Sequence, residues 1–300
     1  MFPEMTVFLG ALPQSRPARF AVFLSGNGSN TEHLLTDAEV RAAALPVVLV
    51  TDAPDQSRAG EIGRKFDIPV LACDLREFYR RHGQTSTALS TAIGRELRAA
   101  WTDELRKRLA PHQIDFGVLA GFEPLCNITE DFPCLNVHPG DLSVVDASGN
   151  RPLIGLHTRP VETALLAGFN YLRSSVILAS PYTGGGGDMD NGLLLGVSAP
   201  MPVDWGGRTP EMLRSLKAAR PARRPAGGWN DELYYFARSE QERLKRFGDH
   251  KVLPGVVRDF ALRRFARRGN ELFYRPADSE CFRTAGILEY GGDGRAVPLQ

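Results

Sequence analysis

The sequence has little net charge, few cysteines and no long apolar run, and each shortage excludes a class of protein. Its 36 basic and 35 acidic residues leave a formal net charge of +1. No dominant field therefore favours nucleic acid or a membrane surface as a partner. No run of about 18 apolar residues occurs, as a membrane-spanning helix would need. The four cysteines include no C-x-x-C pair, so neither a zinc site nor a disulfide framework is indicated.

These shortages together predict an ordinary globular protein of the cytoplasm that binds no metal. Hydrophobic residues make up 43% of the 300 residues, which is enough for one large core or two smaller ones. Free thiols fit a reducing compartment. The first 15 residues contain an acidic residue and no basic leader, which is untypical of a signal peptide.

Short apolar segments alternate with segments of helical spacing through the first half of the chain. Each apolar segment ends at glycine, proline or aspartate, as in RFAVFLSG, LPVVLVTD, IPVLACD, IDFGVLAG and PCLNVHP. Continuous apolar strands alternating with helices are typical of a parallel sheet covered on both faces. We therefore predict an α/β fold with a doubly wound, mostly parallel sheet.

The second half departs from this alternation. The strand-like segments LRSSVILAS and GLLLGVSAPMPV predict an antiparallel C-terminal extension of the sheet, and the last helix is expected at about 230–247. The Arg- and Pro-rich stretch KAARPARRPAGG reads as a linker or an exposed loop. We place an N-terminal tail at 1–18, a domain at 19–275 with an insertion at about 206–229, and a C-terminal tail at 276–300.

A glycine loop, SGNGSN, follows the first strong strand and opens a helix. Backbone N–H groups and a helix N-terminus at such a place attract phosphate, and Gly26 and Gly28 would let the backbone approach closely. The loop lacks the third glycine of a dinucleotide fingerprint and the lysine of a P-loop. A tight strand–helix turn explains it equally well on its own.

The segment LNVHPGD predicts a polar site at a strand end. Asn136 and His138 share a face if the chain is extended, because alternate residues of a strand point the same way. The carboxyl end of a parallel strand is where α/β proteins place their sites. Asp190, in GGGGDMDNG, is a third candidate. An amide, an imidazole and a carboxylate could polarise a carbonyl, move a proton and fix a water.

These motifs, together with VLAGF, GLHT, ALLAG and DNGLLL, follow the order and spacing seen in the folate-dependent formyltransferases. The sequence resembles that family over about residues 19–203, most closely the branch that formylates glycinamide ribonucleotide. The resemblance implies a formyltransferase, Rossmann-like fold. It also implies transfer of a formyl group from 10-formyltetrahydrofolate, as co-substrate, to the amine of a phosphorylated acceptor in purine biosynthesis.

The resemblance also implies roles for individual residues. Asn136 would stabilise the oxyanion of a tetrahedral intermediate, a protonated His138 would assist, and Asp190 would tune His138 and hold a water. The acceptor phosphate would lie on Gly28, Ser29 and Asn30, and Asp249 would bind the acceptor amine. His157, in GLHT, would lie near the folate. The expected folate-binding residues are Phe122, Glu123, Leu125, Gly187 and Asp188.

The chain departs from the family pattern at several of these places. Ile177 stands where the family typically has a histidine, and Glu123-Pro124 replaces Met-Arg. Asp249 is one methylene shorter than the family's glutamate. An insertion, Asp146–Asn150, follows the proposed catalytic strand. The proposed catalytic set is therefore complete, while the departures at the acceptor-binding positions leave the identity of the acceptor open.

Other functions remain open at this point. The chain could formylate another amine, such as that of an amino sugar nucleotide, or hydrolyse formyltetrahydrofolate. It could also be a non-catalytic folate- or nucleotide-binding paralogue, although the retention of all three polar residues argues against that. The expected partners are small-molecule substrates, with no nucleic acid and no membrane, and the expected assembly is a monomer or a homodimer.

Overall fold

A computed structural model describes residues 4–13, 16–182, 188–225, 227–269 and 271–299. The α-helices of these residues are α1 (Ser29–Thr36), α2 (Ala38–Ala43), α3 (Ala59–Phe66), α4 (Leu75–Arg81), α5 (Ala92–Leu109), α6 (Arg159–Ala167), α7 (Pro210–Ala218), α8 (Glu232–Leu244) and α9 (His250–Ala261). The strands are β1 (Thr6–Val7), β2 (Ala18–Phe23), β3 (Ala44–Thr51), β4 (Val70–Ala72), β5 (Phe116–Leu119), β6 (Cys134–His138), β7 (Tyr171–Leu172), β8 (Ser175–Leu178), β9 (Leu193–Ser198), β10 (Met201–Pro202), β11 (Phe265–Arg268), β12 (Glu271–Tyr274), β13 (Arg283–Thr284), β14 (Leu288–Tyr290) and β15 (Ala296–Pro298).

The central sheet has nine strands in the order β15-β14-β9-β8-β6-β5-β2-β3-β4. The pairs from β6 through β5, β2 and β3 to β4 are all parallel. Strand β8 pairs antiparallel with both β6 and β9. The predicted doubly wound, mostly parallel α/β fold is therefore confirmed. A separate antiparallel sheet, β1-β11-β12-β13, lies beside it.

Strand β2 shows why the sheet is covered on both faces. Phe20 and Val22 point into one hydrophobic cluster, which contains residues of α1, α2 and α9. Ala21 and Phe23 point into the other cluster, which contains residues of α4 and α5. Alternate residues of a strand face opposite sides, so a run that is apolar at every position has to be buried on both.

The helix near the C-terminal end of the fold differs from the prediction. The expected helix at 230–247 corresponds to α8, which ends at Leu244. One π-helical turn, Lys245–Asp249, connects α8 to α9. Pro254 lies inside α9 and is the reason that the sequence pattern did not predict it, because proline usually ends a helix. The π turn shifts the helix register and ends at Asp249, and such turns often lie at functional sites.

The described residues of the expected C-terminal tail, 276–299, do not form a tail. Strand β14 pairs parallel with β9 and strand β15 pairs antiparallel with β14, so they extend the central sheet. Leu288 and Tyr290 are fully buried. At the other end, β1 pairs with β11, so the expected N-terminal tail contributes a strand as well. These strands have two or three residues each, too few to show a period of two in the sequence.

Part of the Arg- and Pro-rich insertion at about 206–229 packs against the rest of the fold. It contains α7, whose Leu213 is buried in a third hydrophobic cluster with residues of α6 and α8. The side chain of Arg220 is only 5% exposed, and its guanidinium pairs with Glu162 and, at 2.6 Å, with Asp231. The Arg-, Pro- and Gly-rich composition predicts a linker or an exposed loop. The sequence does not reveal the ion-pair partners that allow an arginine side chain to be buried.

Candidate active site

The predicted site lies where the strand order of the parallel sheet reverses. Strand β2 lies between β3 and β5, so the chain winds to one side of β2 and then to the other. Open α/β sheets bind ligands in the crevice at the carboxyl ends of such strands. The loops after β2 and β5 meet there, since the N–H of Ser25 donates to the carbonyl of Gly121 at 3.0 Å.

Asn136 and His138 end β6 on one face of the sheet, as predicted. Asn136 pairs with Leu119 of β5 on one side and with Ile177 of β8 on the other. Asn136 is partly buried, and His138 is almost completely buried, with 3% of its surface exposed. The flanking strands therefore fix the backbone of both residues before any ligand binds.

Asp190 completes the set from a short 3-10 turn, Asp188–Asn191. Its Oδ1 lies 3.4 Å from the amide nitrogen of Asn136 and 3.5 Å from Nδ1 of His138. Its Oδ2 accepts a 3.1 Å bond from the N–H of Gly155. The structure thus brings Asn136, His138 and Asp190 together around one carboxylate. Long contacts of this kind are common in substrate-free sites.

The second ring nitrogen of His138 faces the protein backbone. Nε2 lies 2.7 Å from the carbonyl oxygen of Leu153. A carbonyl only accepts, so Nε2 carries a hydrogen and Nδ1 is the atom that faces Asp190. Both ring nitrogens are therefore directed at protein groups, and His138 can reach a substrate only through Asp190 or after a movement of the ring.

Arg151 is a residue of this site that the motifs did not indicate. Its Nη1 donates to the carbonyl oxygens of Asp190 and Gly192, both at 2.8 Å. Burial lowers the pKa of Arg151, and the nearby negative charge of Asp190 opposes this effect. The only available sequence signal was its place directly after the Asp146–Asn150 insertion.

The glycine loop forms the N-terminus of α1. Gly28 has φ 70° and ψ 17°, a left-handed conformation that favours glycine. Among the described residues, no side chain caps this helix, so its first N–H groups are available to an anion. A Cβ at Gly28 would come within 2.5 Å of Ile62 and 2.9 Å of Leu24. Gly28 is therefore needed for packing under the loop, and Ser29, which is partly exposed, is the better position at which to probe an anion.

Asp249 and Asn30 lie together in a buried cluster rather than on an open surface. The Asn30 amide donates to one oxygen of Asp249 at 2.8 Å, and the Ser174 hydroxyl donates to the other at 2.5 Å. Asp249 is 4% exposed, and burial raises its pKa. Both of its oxygens already have donors, so direct binding of an acceptor amine by Asp249 does not fit this arrangement. The Oδ1 of Asn30 is buried without a partner in the described structure.

The loop after β5 contains three of the expected folate-binding residues, and not all of their side chains are accessible. Phe122 is buried in the core against Phe23, with ring centroids 5.3 Å apart. Its side chain is therefore unavailable to a ligand, and only its backbone can contribute. Glu123 is 58% exposed and lies 3.7 Å from Nδ1 of His157, which is equally exposed. His157 has φ 57°, an uncommon conformation for a non-glycine residue that suggests a functional constraint.

The other expected folate-binding residues are less informative. Leu125 is partly buried, and its carbonyl accepts a 2.7 Å bond from buried Arg98. Asp188 begins the 3-10 turn that carries Asp190. Gly187 lies outside the described residues.

Two further features bear on the predicted partners. Over the described ranges, no cluster of three or more His, Cys, Asp or Glu side chains is arranged to bind a metal ion. Across the same residues, no helix has both the length and the apolar character needed to cross a membrane.

Solved structures of phosphoribosylglycinamide formyltransferases share this fold. Glycinamide ribonucleotide transformylase 1 from Symbiobacterium toebii aligns with a TM-score of 0.54 and 22% identity, over 88% of this chain and 97% of that one. The phosphoribosylglycinamide formyltransferase of Coxiella burnetii aligns with a TM-score of 0.55 and 18% identity, over 94% and 96%. The chain has the phosphoribosylglycinamide formyltransferase fold.

That fold is shared with an enzyme of different activity. A formyltetrahydrofolate deformylase from Pseudomonas syringae pv. tomato aligns with a TM-score of 0.55 and 12% identity, over 86% of this chain and 66% of that one. No protein-family model and no curated protein sequence matches the chain. At these identities the formyltransferase fold is shared, and the reaction has to be argued from the site.

Proposed function

We propose that the protein transfers a formyl group from 10-formyltetrahydrofolate to the primary amine of a phosphorylated acceptor, with glycinamide ribonucleotide as the acceptor. The observation that carries this proposal is the meeting of Asn136, His138 and Asp190 at the carboxyl edge of the sheet. The Asn136 amide nitrogen and His138 Nδ1 lie 3.4 and 3.5 Å from the same oxygen of Asp190. The formyltransferase fold makes a folate co-substrate the natural donor.

The proposed chemistry is an acyl transfer through a tetrahedral intermediate. The acceptor amine attacks the formyl carbon, a C–N bond forms, and the carbonyl oxygen becomes an oxyanion. The amide N–H of Asn136 stabilises this charge. One proton leaves the attacking nitrogen through Asp190 and its water and reaches N10 of the folate. The bond between the formyl carbon and N10 then breaks, which releases tetrahydrofolate and the formylated amine.

In this proposal His138 acts on Asp190. Its Nε2–H bond to Leu153 fixes the ring, and Nδ1 faces the carboxylate. We assign His138 the role of stabilising, through Asp190, the negative charge that develops on the oxyanion. The sequence predicts that His138 assists the oxyanion and that Asp190 tunes His138; in this proposal the assistance passes through Asp190.

The acceptor phosphate binds at the N-terminus of α1. The uncapped N–H groups after Gly28 and the helix dipole both favour an anion there. Asn30 is held by Asp249, so we assign Asp249 to fixing this loop rather than to the acceptor amine.

The folate binds across the loop after β5, between the backbone of residues 120–125 and the Glu123–His157 pair. The side chains of this pair are exposed and polar, as suits the polar part of a pterin. We place the reaction in the cytoplasm, where the cysteines, which are free thiols in the described structure, would stay reduced.

An acceptor screen with 10-formyl-5,8-dideazafolate as donor tests the proposal. We expect release of the deformylated product with glycinamide ribonucleotide, and little release with the same compound lacking its 5′-phosphate. Equal rates with and without any amine, accompanied by free formate, would instead identify a deformylase. No turnover with any acceptor, together with measurable folate binding, would identify a non-catalytic folate-binding protein.

A further inference from the structure

Asp190 lies in a turn that is too short to be rigid without outside support. The 3-10 turn Asp188–Asn191 has four residues, and such turns have poorer hydrogen-bond geometry than an α-helix. Its carboxylate nevertheless has to stay within reach of both Asn136 and His138. Contacts from elsewhere in the fold must therefore fix its backbone.

Arg151 supplies such a contact from the segment after β6. One guanidinium nitrogen, Nη1, bridges the carbonyl oxygens of Asp190 and Gly192. The two carbonyls lie on either side of the end of the turn, so the bridge fixes the backbone at the residue whose carboxylate is proposed to act.

The guanidinium of Arg151 is positively charged and half-buried. Arg151 binds neutral carbonyl oxygens here, and burial lowers its pKa, while the charge of Asp190 opposes that effect. Burying a guanidinium costs free energy of desolvation. Arg151 bears this cost beside the proposed catalytic carboxylate, which distinguishes it from an ordinary surface arginine.

The segment that contains Arg151 also contacts His138 and the Asp190 carboxylate. The carbonyl of Leu153 accepts from His138 at 2.7 Å, and the N–H of Gly155 donates to the Asp190 carboxylate at 3.1 Å. Residues 151, 153 and 155 therefore each touch the His138–Asp190 pair. Arg151 joins this segment to the turn, so that the two partners keep a constant relative position.

We propose that Arg151 is a positioning residue, which holds the Asp190 turn in register with His138 and Asn136. The inference rests on the proposed formyl transfer for its effect on rate. A displacement of about 1 Å in a site can cost about 10²-fold in rate. We therefore expect Arg151 to affect kcat, with little effect on the KM of either substrate.

The test compares Arg151→Met, Arg151→Lys and a matched control, Arg214→Met. Arg214 also donates to a backbone carbonyl, that of Leu166 at 2.7 Å, but on the surface at α7. We expect Arg151→Met to lower kcat by about 10–100-fold, with KM values within threefold of the unchanged protein. The lysine variant should lie between, because an ammonium keeps the charge without the planar fork. Added guanidinium ion should restore part of the Arg151→Met rate, and Arg214→Met should keep full activity.

Amide hydrogen exchange across residues 188–195 gives a readout that does not depend on turnover. We expect faster exchange there in Arg151→Met and no change in Arg214→Met. Unchanged exchange, or an unchanged kcat, would overturn the proposal. A lower kcat with a parallel loss of melting temperature and no rescue by guanidinium would also overturn it, because that pattern marks a general structural role. Should the unaltered protein formylate no acceptor, the proposed function fails, while the exchange measurement still decides whether Arg151 holds the turn.

Discussion

Single residues at the end of β6 are expected to carry most of the chemistry. Asn136 is the only one of the three polar residues with an amide donor, and its side chain is not fully used by protein partners. We predict that Asn136→Ala lowers kcat by about 10²–10³-fold, as loss of an oxyanion donor typically does. Steady-state kinetics, with melting temperature as a control for folding, checks this. A near-normal kcat in a folded variant would remove Asn136 from the mechanism.

The residue that tests phosphate binding is Ser29. Gly28 is unsuitable, since any Cβ there would meet Ile62 and Leu24. We predict that Ser29→Glu places a carboxylate at the N-terminus of α1 and raises the acceptor KM at least about tenfold, the effect of roughly 1.4 kcal/mol. The folate KM should stay within about twofold. An unaltered acceptor KM would mean that the phosphate lies elsewhere.

Residue types and spacing predicted the strand-end site well because the period of a strand fixes which side chains share a face. Asn136 and His138 are together for that reason. The predictions for Phe122 and Asp249 were less successful, since their exposure depends on packing by distant segments. The Phe122 ring is covered by Phe23, and Asp249 is covered where Asn30 and Ser174 reach it. Arg151 could not be identified at all, because its two acceptors are backbone carbonyls that have no sequence signature.

At the scale of whole elements, the C-terminal strands are part of the core. The ring of Tyr290, on β14, lies between Gly196 of β9 and Gly255 of α9, and a Cβ at either glycine would meet the ring. Its hydroxyl donates to the fully buried Asp259 at 3.0 Å. Burial raises the pKa of Tyr290, so the hydroxyl remains a donor over the whole range in which proteins are usually handled.

We predict that Tyr290→Phe lowers the free energy of unfolding by about 1–2 kcal/mol. The lost bond runs to a carboxylate, although Asp259 keeps other donors. Tyr235→Phe is the control, because the Tyr235 hydroxyl makes a bond only at the exposed surface, to Asn230 at 3.2 Å. Urea unfolding measures both. Equal stability of the two variants would show that β14 contributes less than its burial suggests.

The sequence predicted the parallel strands of the first half of the chain but not every element of the second half. The sequence predicted five parallel strands, because each is an apolar run that ends in turn residues. Strand β14 did not, because it pairs with β9, far earlier in the chain, and has only three residues. The sequence pattern did not indicate helix α9 because Pro254 lies inside it; in the structure Pro254 and its neighbours in α9 are buried. Tertiary contacts override local propensity at both places.

For the molecule as a whole, stability should depend on pH through His250. Its ring stacks on that of His33, with centroids 4.4 Å apart, and its Nε2 is buried without a partner in the described structure. Burial, followed by the positive charges of His33, Lys245, Lys251 and Arg246, lowers the pKa of His250 to about 4. A lowered pKa favours the neutral ring in the folded state. The stabilisation is therefore complete above about pH 6.5 and is lost as the pH falls through about 4.

We predict that His250→Leu removes this dependence. Between pH 6.5 and 4 the unaltered protein should lose about 2 kcal/mol more than the variant. Asp249, whose pKa burial raises, shifts stability in the opposite direction in both proteins and so cancels in the difference. Unfolding free energies at four pH values in this range provide the check. Parallel curves for the two proteins would mean that His250 titrates normally in the fold.

One measurement tests the central claim most directly, namely that the Asn136–His138–Asp190 site moves a formyl group from folate to an amine. The donor is 10-formyl-5,8-dideazafolate labelled with ¹³C in the formyl group, and the acceptor is glycinamide ribonucleotide. A single turnover is followed by NMR, with Asn136→Ala alongside. We predict that the label appears as a formamide on the acceptor nitrogen, and that the variant transfers it about 10²–10³-fold more slowly. Label that appears as free formate, or an equal rate in the variant, would contradict the account.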